Sequence, residues 1–564
     1  YKRQARVFRY RKEHVVCYPL LATRRQVRIY KDGTLQEPYD TLFDYGKYVR
    51  LGAGEGLRSP AIEKSRIEAV DAQPLPADKE RLLSYFAEVL AAKASQEVPE
   101  GEKKSSIAAL LAETMQRIDP QDPRTALYAY LNGRTAACDV DNVALVYPFG
   151  CNASQKLAVQ RALGNRVSVV EGPPGTGKTQ TILNIVANLL MQGKTVGVVS
   201  NNNAAVDNVR DKLSKYEYGA LMAELGNRTR RQAFFADKQQ DFMPDPTWRL
   251  PAEERTALRT RLGELSAAID ELFRVNAELA DLRTKRSYAQ CEYRHLLWEQ
   301  PLDEARMRRV DRCFFRPIDS RRALSFRHLV TERWQGGRPS LALRAGLLFR
   351  CGAWPGKRLF ADAELLPAYA DRKFYETYIA ELSARIARLG APSDEQRAKS
   401  LIEAYGKVSE ALFRDMLYRK YERLNEARQE ERPPFTMQNY RTHFRTFVER
   451  YPVVLSTTHS LCASIGAGHL LDYVIIDESS QVDILTAAVC CACCRNIIII
   501  GDSRQLPHIV EEQLRAKAEE LRDKHRVPDA YDYVRQNILS SFKRVFGERL
   551  PVTLLREHYR CHPL

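Results

Sequence analysis

One stretch constrains this chain more than any other: VVEGPPGTGKTQT, residues 169–181. An apolar run enters a loop with three glycines, and Lys178-Thr179 closes it. Gly172, Gly175 and Gly177 let a backbone turn tightly and point N–H groups at phosphate oxygens. With Pro173, Pro174 and Thr176 between them, they complete the pattern G-x-x-x-x-G-K-[ST]. Lys178 can reach the β- and γ-phosphates, and the Thr179 hydroxyl can ligate Mg²⁺. A helix starting near Lys178 adds its positive N-terminal end. The loop follows the strand-like RVSVV, so a strand–loop–helix unit of an α/β sheet is expected.

The sheet recurs downstream. Residues 166–210 read as strand, loop, helix, strand, loop, helix, and VVLSTT, YVIIDESS and NIIIIGD resume the style within 452–510. Continuous apolar runs of this kind suit a parallel sheet covered on both faces. YVIIDESSQ puts Asp477 and Glu478 just past a buried strand, at the edge where open α/β sheets bind ligands. Asp477 is the expected partner of Mg²⁺, and Glu478 can polarise an attacking water. Two adjacent carboxylates mean little alone; with the phosphate loop they mean a triphosphate site. NIIIIGDSRQLPHIV ends on Gly501, Asp502 and Gln505, where Gln505 could hydrogen-bond the γ-phosphate or simply sit in a capped turn.

The remaining chain divides by composition. Residues 1–60 are rich in Arg, Lys, Tyr and Val, and Asp32-Gly33 marks a hairpin, so a small β-rich domain is expected there. Residues 61–140 read as a helical connector, clearest in DKERLLSYFAEVLAAKA. The α/β domain then spans 141–210 and 451–550, split by a polar insertion at 211–450 that is too long to be a loop. Leu258, Leu262, Leu265, Ile269 and Leu272 step by 4,3,4,3, as do Tyr375, Ile379, Leu382, Ile386 and Leu389. Leu401, Tyr405, Val408 and Leu412 form a third run. Such seams suit coiled-coil or bundled helices. Between them, 308–340 mixes Arg with Phe and Trp; a small core under a basic surface is the plainer reading, a nucleic-acid or partner face the other.

Net charge is +16. An ordinary basic surface and a polyanion partner both fit that balance. No apolar run approaches the length of a bilayer span, which gives no reason to expect a membrane partner. Twelve cysteines in 564 residues do not make a disulfide scaffold, and with a nucleotide site a cytoplasmic location is expected. VCCACCRN (489–496) invites a zinc reading, but its spacing does not match C-x₂-C and small buried hydrophobes explain it better. Cys561 between His558 and His562 carries no stronger case.

In order and spacing, NASQKLAV (152–159), GPPGTGKT (172–179), SNNNAAVDNV (200–209), VVLSTTHS (453–460), VIIDESSQ (474–481), GDSRQLPHIV (501–510) and REHYRCHP (556–563) resemble the Upf1-like group of superfamily 1B helicases. Together these motifs span 60 of the 564 residues. The resemblance implies a RecA-like α/β domain of the P-loop NTPase class with an N-terminal barrel-like domain and a long helical, coiled-coil-like insertion. It implies ATP and Mg²⁺ as cofactors and single-stranded DNA or RNA as partner. Gln155 matches a glutamine that reads adenine, Gln505 a γ-phosphate sensor, and Arg560 an arginine that reaches the γ-phosphate from a second RecA-like domain. Ser200, Asn201, Asn203, Thr457 and Thr458 match positions near the nucleic-acid backbone. Hydroxyl and amide groups grip phosphate and sugar without reading sequence.

Residues 551–564 match only the start of that second domain, so the chain is expected to be the N-terminal part of a longer protein that binds ATP·Mg²⁺ and hydrolyses it poorly alone. The leading expectation is an ATP-dependent helicase or translocase moving 5′→3′ on single strands. The alternative is an ATP-switched nucleic-acid clamp or scaffold whose helical insertion recruits a protein partner, in a bacterial defence or RNA-surveillance setting to which no residue points. A bare ATPase acting on protein is a third and weaker reading.

Overall fold

The computed structural model describes residues 21–24, 27–37, 39, 41–53, 57–71, 75–97, 106–138, 145–299, 303–332, 334, 338–390, 395–426, 435–466, 468–505 and 508–557. Arg560, His558, Cys561 and His562 lie outside them. The chain divides into two compact units, Tyr1–Leu262 with Tyr405–Leu564, and Gly263–Ala404.

The first unit opens with β1 (Leu21–Arg24), β2 (Val27–Lys31), β3 (Thr34–Leu35), β4 (Thr41–Asp44), β5 (Tyr48–Ala53), β6 (Leu57–Arg58), β7 (Ile62–Glu63) and β8 (Ile67–Asp71). Among the described residues these form two antiparallel sheets: β1-β4-β5-β6 with β7 on β5, and β3-β2-β8. Asp32 and Gly33 both take positive φ, 50° and 88°, as the two-residue hairpin between β2 and β3 requires. Strands thus continue to Asp71, where helix was expected from residue 61. Glu68 and Ala69 favour helix locally, but pairing of β8 with β2 overrides that preference. Helix begins at Ala77–Glu97.

The main sheet holds β9 (Val167–Glu171), β10 (Val196–Ser200), β11 (Met222–Glu224), β12 (Val453–Thr457), β13 (Leu471–Ile476), β14 (Cys494–Gly501) and β15 (Val552–Leu554). Its order is β11-β12-β10-β13-β14-β9-β15, every pairing parallel. Ile497 to Ile500 are fully buried at its centre, each contributing roughly 1.5–3 kcal/mol by leaving water. Both borders of the expected insertion move. β11 is a sheet edge, and Phe444, Phe447 and Val448 of the helix Phe444–Arg450 join the core, so 211–450 is not all insertion. β15 pairs with β9, so Val552–Leu554 closes this sheet rather than opening another. Cys490, Cys491, Cys493 and Cys494 are buried where the helix Ile484–Ala492 turns into β14, and burial pushes the thiols of Cys490, Cys491 and Cys494 well up. Among the described residues no group of three or more His, Cys, Asp or Glu could hold a metal ion, and no helix is long and apolar enough to cross a membrane.

The 48-residue helix Ala252–Glu299 starts in the first unit and, within the second, extends its buried seam through Leu265, Ile269, Val275, Leu279, Leu282 and Ala289. Tyr293 donates to Glu376 at 2.9 Å, and Arg385 pairs with Glu278, so the helix Leu366–Gly390 runs antiparallel to it. Phe326, Leu329, Leu347, Leu366 and Tyr369 centre a separate small core.

Candidate functional site

The C-terminal ends of β9, β10, β12, β13 and β14 lie side by side because the sheet is parallel. β9 delivers the glycine loop. Gly175 and Gly177 take φ of 89° and 82°, left-handed backbone that a side chain resists, and Gly177 caps the helix Lys178–Met191. A Cβ on Gly172 would stand 2.4 Å from Thr176 Oγ1. That hydroxyl donates to the Pro173 carbonyl at 2.8 Å and holds the loop closed beside Pro174. Lys178 Nζ donates to the Gly172 carbonyl at 2.8 Å, which lays the ammonium along the loop. Thr179 Oγ1 lies 3.5 Å from Asn208 Nδ2.

β13 delivers the carboxylates. Asp477 N–H donates to the Val199 carbonyl at 2.8 Å, and Glu478 N–H to Asp477 Oδ1 at 2.9 Å. Burial, then the Glu478 charge beside it, pushes the Asp477 carboxyl up to about 6, while Lys178 pulls the other way. That opposing pull places the loop lysine within electrostatic reach of the acidic pair. Glu478 itself is left-handed at φ 52°, ψ 41°, a conformation that costs on the order of 1–2 kcal/mol. Its Oε2 is buried with no hydrogen-bond partner among the described residues.

β14 delivers Gln505. Asp502 Oδ1 accepts from Arg504 N–H at 2.9 Å and its carbonyl from Gln505 N–H at 3.1 Å, a turn that sets the glutamine after the strand. Gly172 N–H donates to the Gly501 carbonyl at 3.0 Å, so this turn is tied to the start of the phosphate loop. Gln155 enters from the helix Ala153–Leu163. Its Oε1 accepts from Asn152 N–H at 3.0 Å in a capping box, and its Nε2 faces Gln180 Oε1 at 3.2 Å. It is fully buried against Gly177.

β10 and β12 bring the expected strand-gripping residues together. Ser200 and Thr457 are register partners, and Thr458 N–H donates to the Ser200 carbonyl at 3.2 Å. The Thr458 hydroxyl donates to Asn201 Oδ1, whose amide donates to the Gln481 carbonyl at 2.8 Å. Ser200 and Thr458 are fully buried and hold this corner; Asn203 is exposed, and Asn201 and Thr457 are half-buried.

Sequence reasoning missed the supports. Asn184 and Asn188 stand four apart on a helix otherwise apolar from Ile182 onward and bond residues 146–150, with Asn188 taking Val146 N–H at 2.9 Å and giving to its carbonyl at 2.7 Å. Two buried amides among apolar neighbours were the available signal. Glu171, Ser503 and Lys543 form a second tie beside the loop. Its members are too far apart in sequence to be seen there.

A family model described as an AAA domain matches residues 150–513, which takes in the glycine loop, the acidic pair and the Gln505 turn. The chain belongs to the Upf1-like group of superfamily 1 helicases. Similar proteins include the DNA polymerase alpha-associated DNA helicase A of Schizosaccharomyces pombe, 28% identical over 170 residues, 27% of this chain and 26% of that one. A regulator of nonsense transcripts 1 homolog from Neurospora crassa is 32% identical over 129 residues, 22% and 11% of the two chains. The DNA-binding protein SMUBP-2 of Mesocricetus auratus is 29% identical over 143 residues, 25% and 13%. This helicase-family chain therefore aligns with about a quarter or less of the length of these relatives.

Proposed function

We propose that this chain binds and hydrolyses ATP and couples the cycle to 5′→3′ movement on single-stranded nucleic acid. The observation that carries the reading is one sheet edge that joins the glycine loop to the acidic pair and, through the Asp477–Val199 and Thr458–Ser200 backbone bonds, to the Asn201–Thr458 corner. A change at the phosphates has a short, bonded route to the corner that would hold a strand.

The loop amides and Lys178 bind the phosphates of ATP, and Gln155 sets the adenine end from its capping box. Thr179 and Asp477 would hold Mg²⁺, together with the phosphates themselves. The fit rests on Asp477, whose raised carboxyl a nearby dication would ionise, and on the Glu478 oxygen that has no partner among the described residues. Bound there, Mg²⁺ would neutralise charge on the transferring phosphoryl group. Glu478 orients the attacking water and accepts its proton, and Gln505 contacts the γ-phosphate. Arg560 completes the site in this reading. Asn203, Thr457 and Asn201 meet the strand's phosphates and sugars, while Ser200 and Thr458 hold them in place.

The test is strand displacement by the full protein on duplexes with a 5′ or a 3′ single-stranded tail, in DNA and RNA. Unwinding from the 5′ tail is expected. ATP turnover stimulated by single strands without displacement would replace the translocase with an ATP-switched clamp.

A further inference from the structure

The Arg- and aromatic-rich segment of the second unit is not used by the site above. From Asp303 to Arg358, fourteen Lys or Arg residues face five Asp or Glu, an excess of nine in a chain of net charge +16. The five acids are committed locally. Asp303 and Asp319 cap helices, Glu304 and Glu332 pair with Arg308 and His328, and Asp311 takes the Tyr369 hydroxyl and Lys373. Arg312, Arg316 and Arg350 are exposed and form no ion pair among the described residues.

Among these cations lie three exposed rings: Phe315 at 55%, Trp354 at 65% and Phe349 at 75% exposure. They are held rather than loose. Phe315 N–H donates to the Gly352 carbonyl at 2.9 Å and Trp354 N–H to the Cys313 carbonyl at 2.7 Å, pinning two segments antiparallel. Gly352 sits at φ 69°, where a Cβ would stand 2.8 Å from Arg316 Cβ. Phe314 turns inward and packs on Phe326 and Tyr369, so the neighbouring Phe315 is forced out. Arg312, Cys313, Phe314, Phe315, Leu348 and Trp354 line an open, shallow concavity of about 460 Å³.

We propose that this surface is a second binding site for single-stranded nucleic acid, separate from the sheet edge. The exposed Trp354 and Phe349 rings, and Phe315 with the Arg316 guanidinium 5.7 Å above it, offer sequence-tolerant stacking to bases, and guanidiniums without an ion-pair partner among the described residues release counterions from the backbone. An acidic peptide fits less well, because Leu348 is the one aliphatic side chain lining the concavity. The inference goes beyond the proposed ATP cycle and does not need hydrolysis.

The test is anisotropy of a labelled single-stranded oligonucleotide titrated with the full protein, without nucleotide, across salt concentrations. Phe315→Ala/Trp354→Ala should bind about tenfold or more weakly. Arg312→Glu/Arg316→Glu should also bind more weakly, with a shallower salt dependence. Unchanged unfolding midpoints show that these exposed changes leave the fold intact. Asn203→Ala/Thr457→Ala, at the sheet edge, should retain the part of binding that the ring and arginine variants lose. Wild-type affinity and salt slope in both the ring and arginine variants overturn this inference alone, whether the patch then serves a protein or nothing. No strand binding by the wild-type protein overturns it together with the proposed function.

Discussion

At the scale of a residue, Glu478 combines left-handed backbone, a buried carboxylate oxygen without partner among the described residues, and a neighbour whose acidity it weakens. Glu478→Gln keeps the shape and removes the base. ATP affinity should stay within a few fold while turnover falls about 10²–10⁴-fold; normal turnover would assign the base elsewhere. Asp477 gives a stability signature. Its carboxyl, raised to about 6, keeps its proton in the folded chain at pH values where the unfolded chain has lost it. Without nucleotide, stability should therefore decline as pH climbs from about 4 to about 6. Asp477→Asn lacks this decline and should be more stable at pH 7.5 by roughly 1–3 kcal/mol. Melting curves of both proteins across that range check it; parallel pH profiles would contradict it. Lys178, Asp477 and Glu478 were legible as candidates because they sit in local patterns that nucleotide chemistry demands. The sequence could not show Glu478's strain or the burial of Ser200 and Thr458, which depend on strands distant in the chain.

At the scale of elements, the helix Lys178–Met191 does two jobs. Its start lies in the glycine loop, and Asn184 and Asn188 hold the segment that leads to Gln155. Asn188→Ala would leave Val146 N–H and C=O buried and unpaired. A loss of about 2–4 kcal/mol is expected, read as a lower denaturant midpoint; a loss under about 0.5 kcal/mol would mean water replaces the amide. Elements with strong periodicity were legible: the β2–β3 hairpin, the isoleucine strand β14 and the leucine seam after Ala252. Short strands were not. β8, β11 and β15 carry ordinary residues over three to five positions, and only their pairing partners make them strands.

Over the whole molecule, two compact units divide the chemistry. The parallel sheet gathers the residues proposed to hold nucleotide and strand on one edge because parallel strands end together. Within the second unit, the 303–358 segment has nine more Lys and Arg than Asp and Glu, and its acids are already committed to caps and pairs. Composition alone left that charge ambiguous between an ordinary basic surface and a polyanion partner. The central claim is that ATP turnover is coupled to a strand held at the β10–β12 corner. Its most direct test is steady-state ATPase activity with and without single-stranded DNA and RNA, in the wild type and in Asn203→Ala/Thr457→Ala. The account predicts stimulation of the wild type by single strands and at least about tenfold loss of that stimulation in the variant, with nucleotide affinity unchanged. A wild type indifferent to single strands, or a variant stimulated as fully as the wild type, would contradict it.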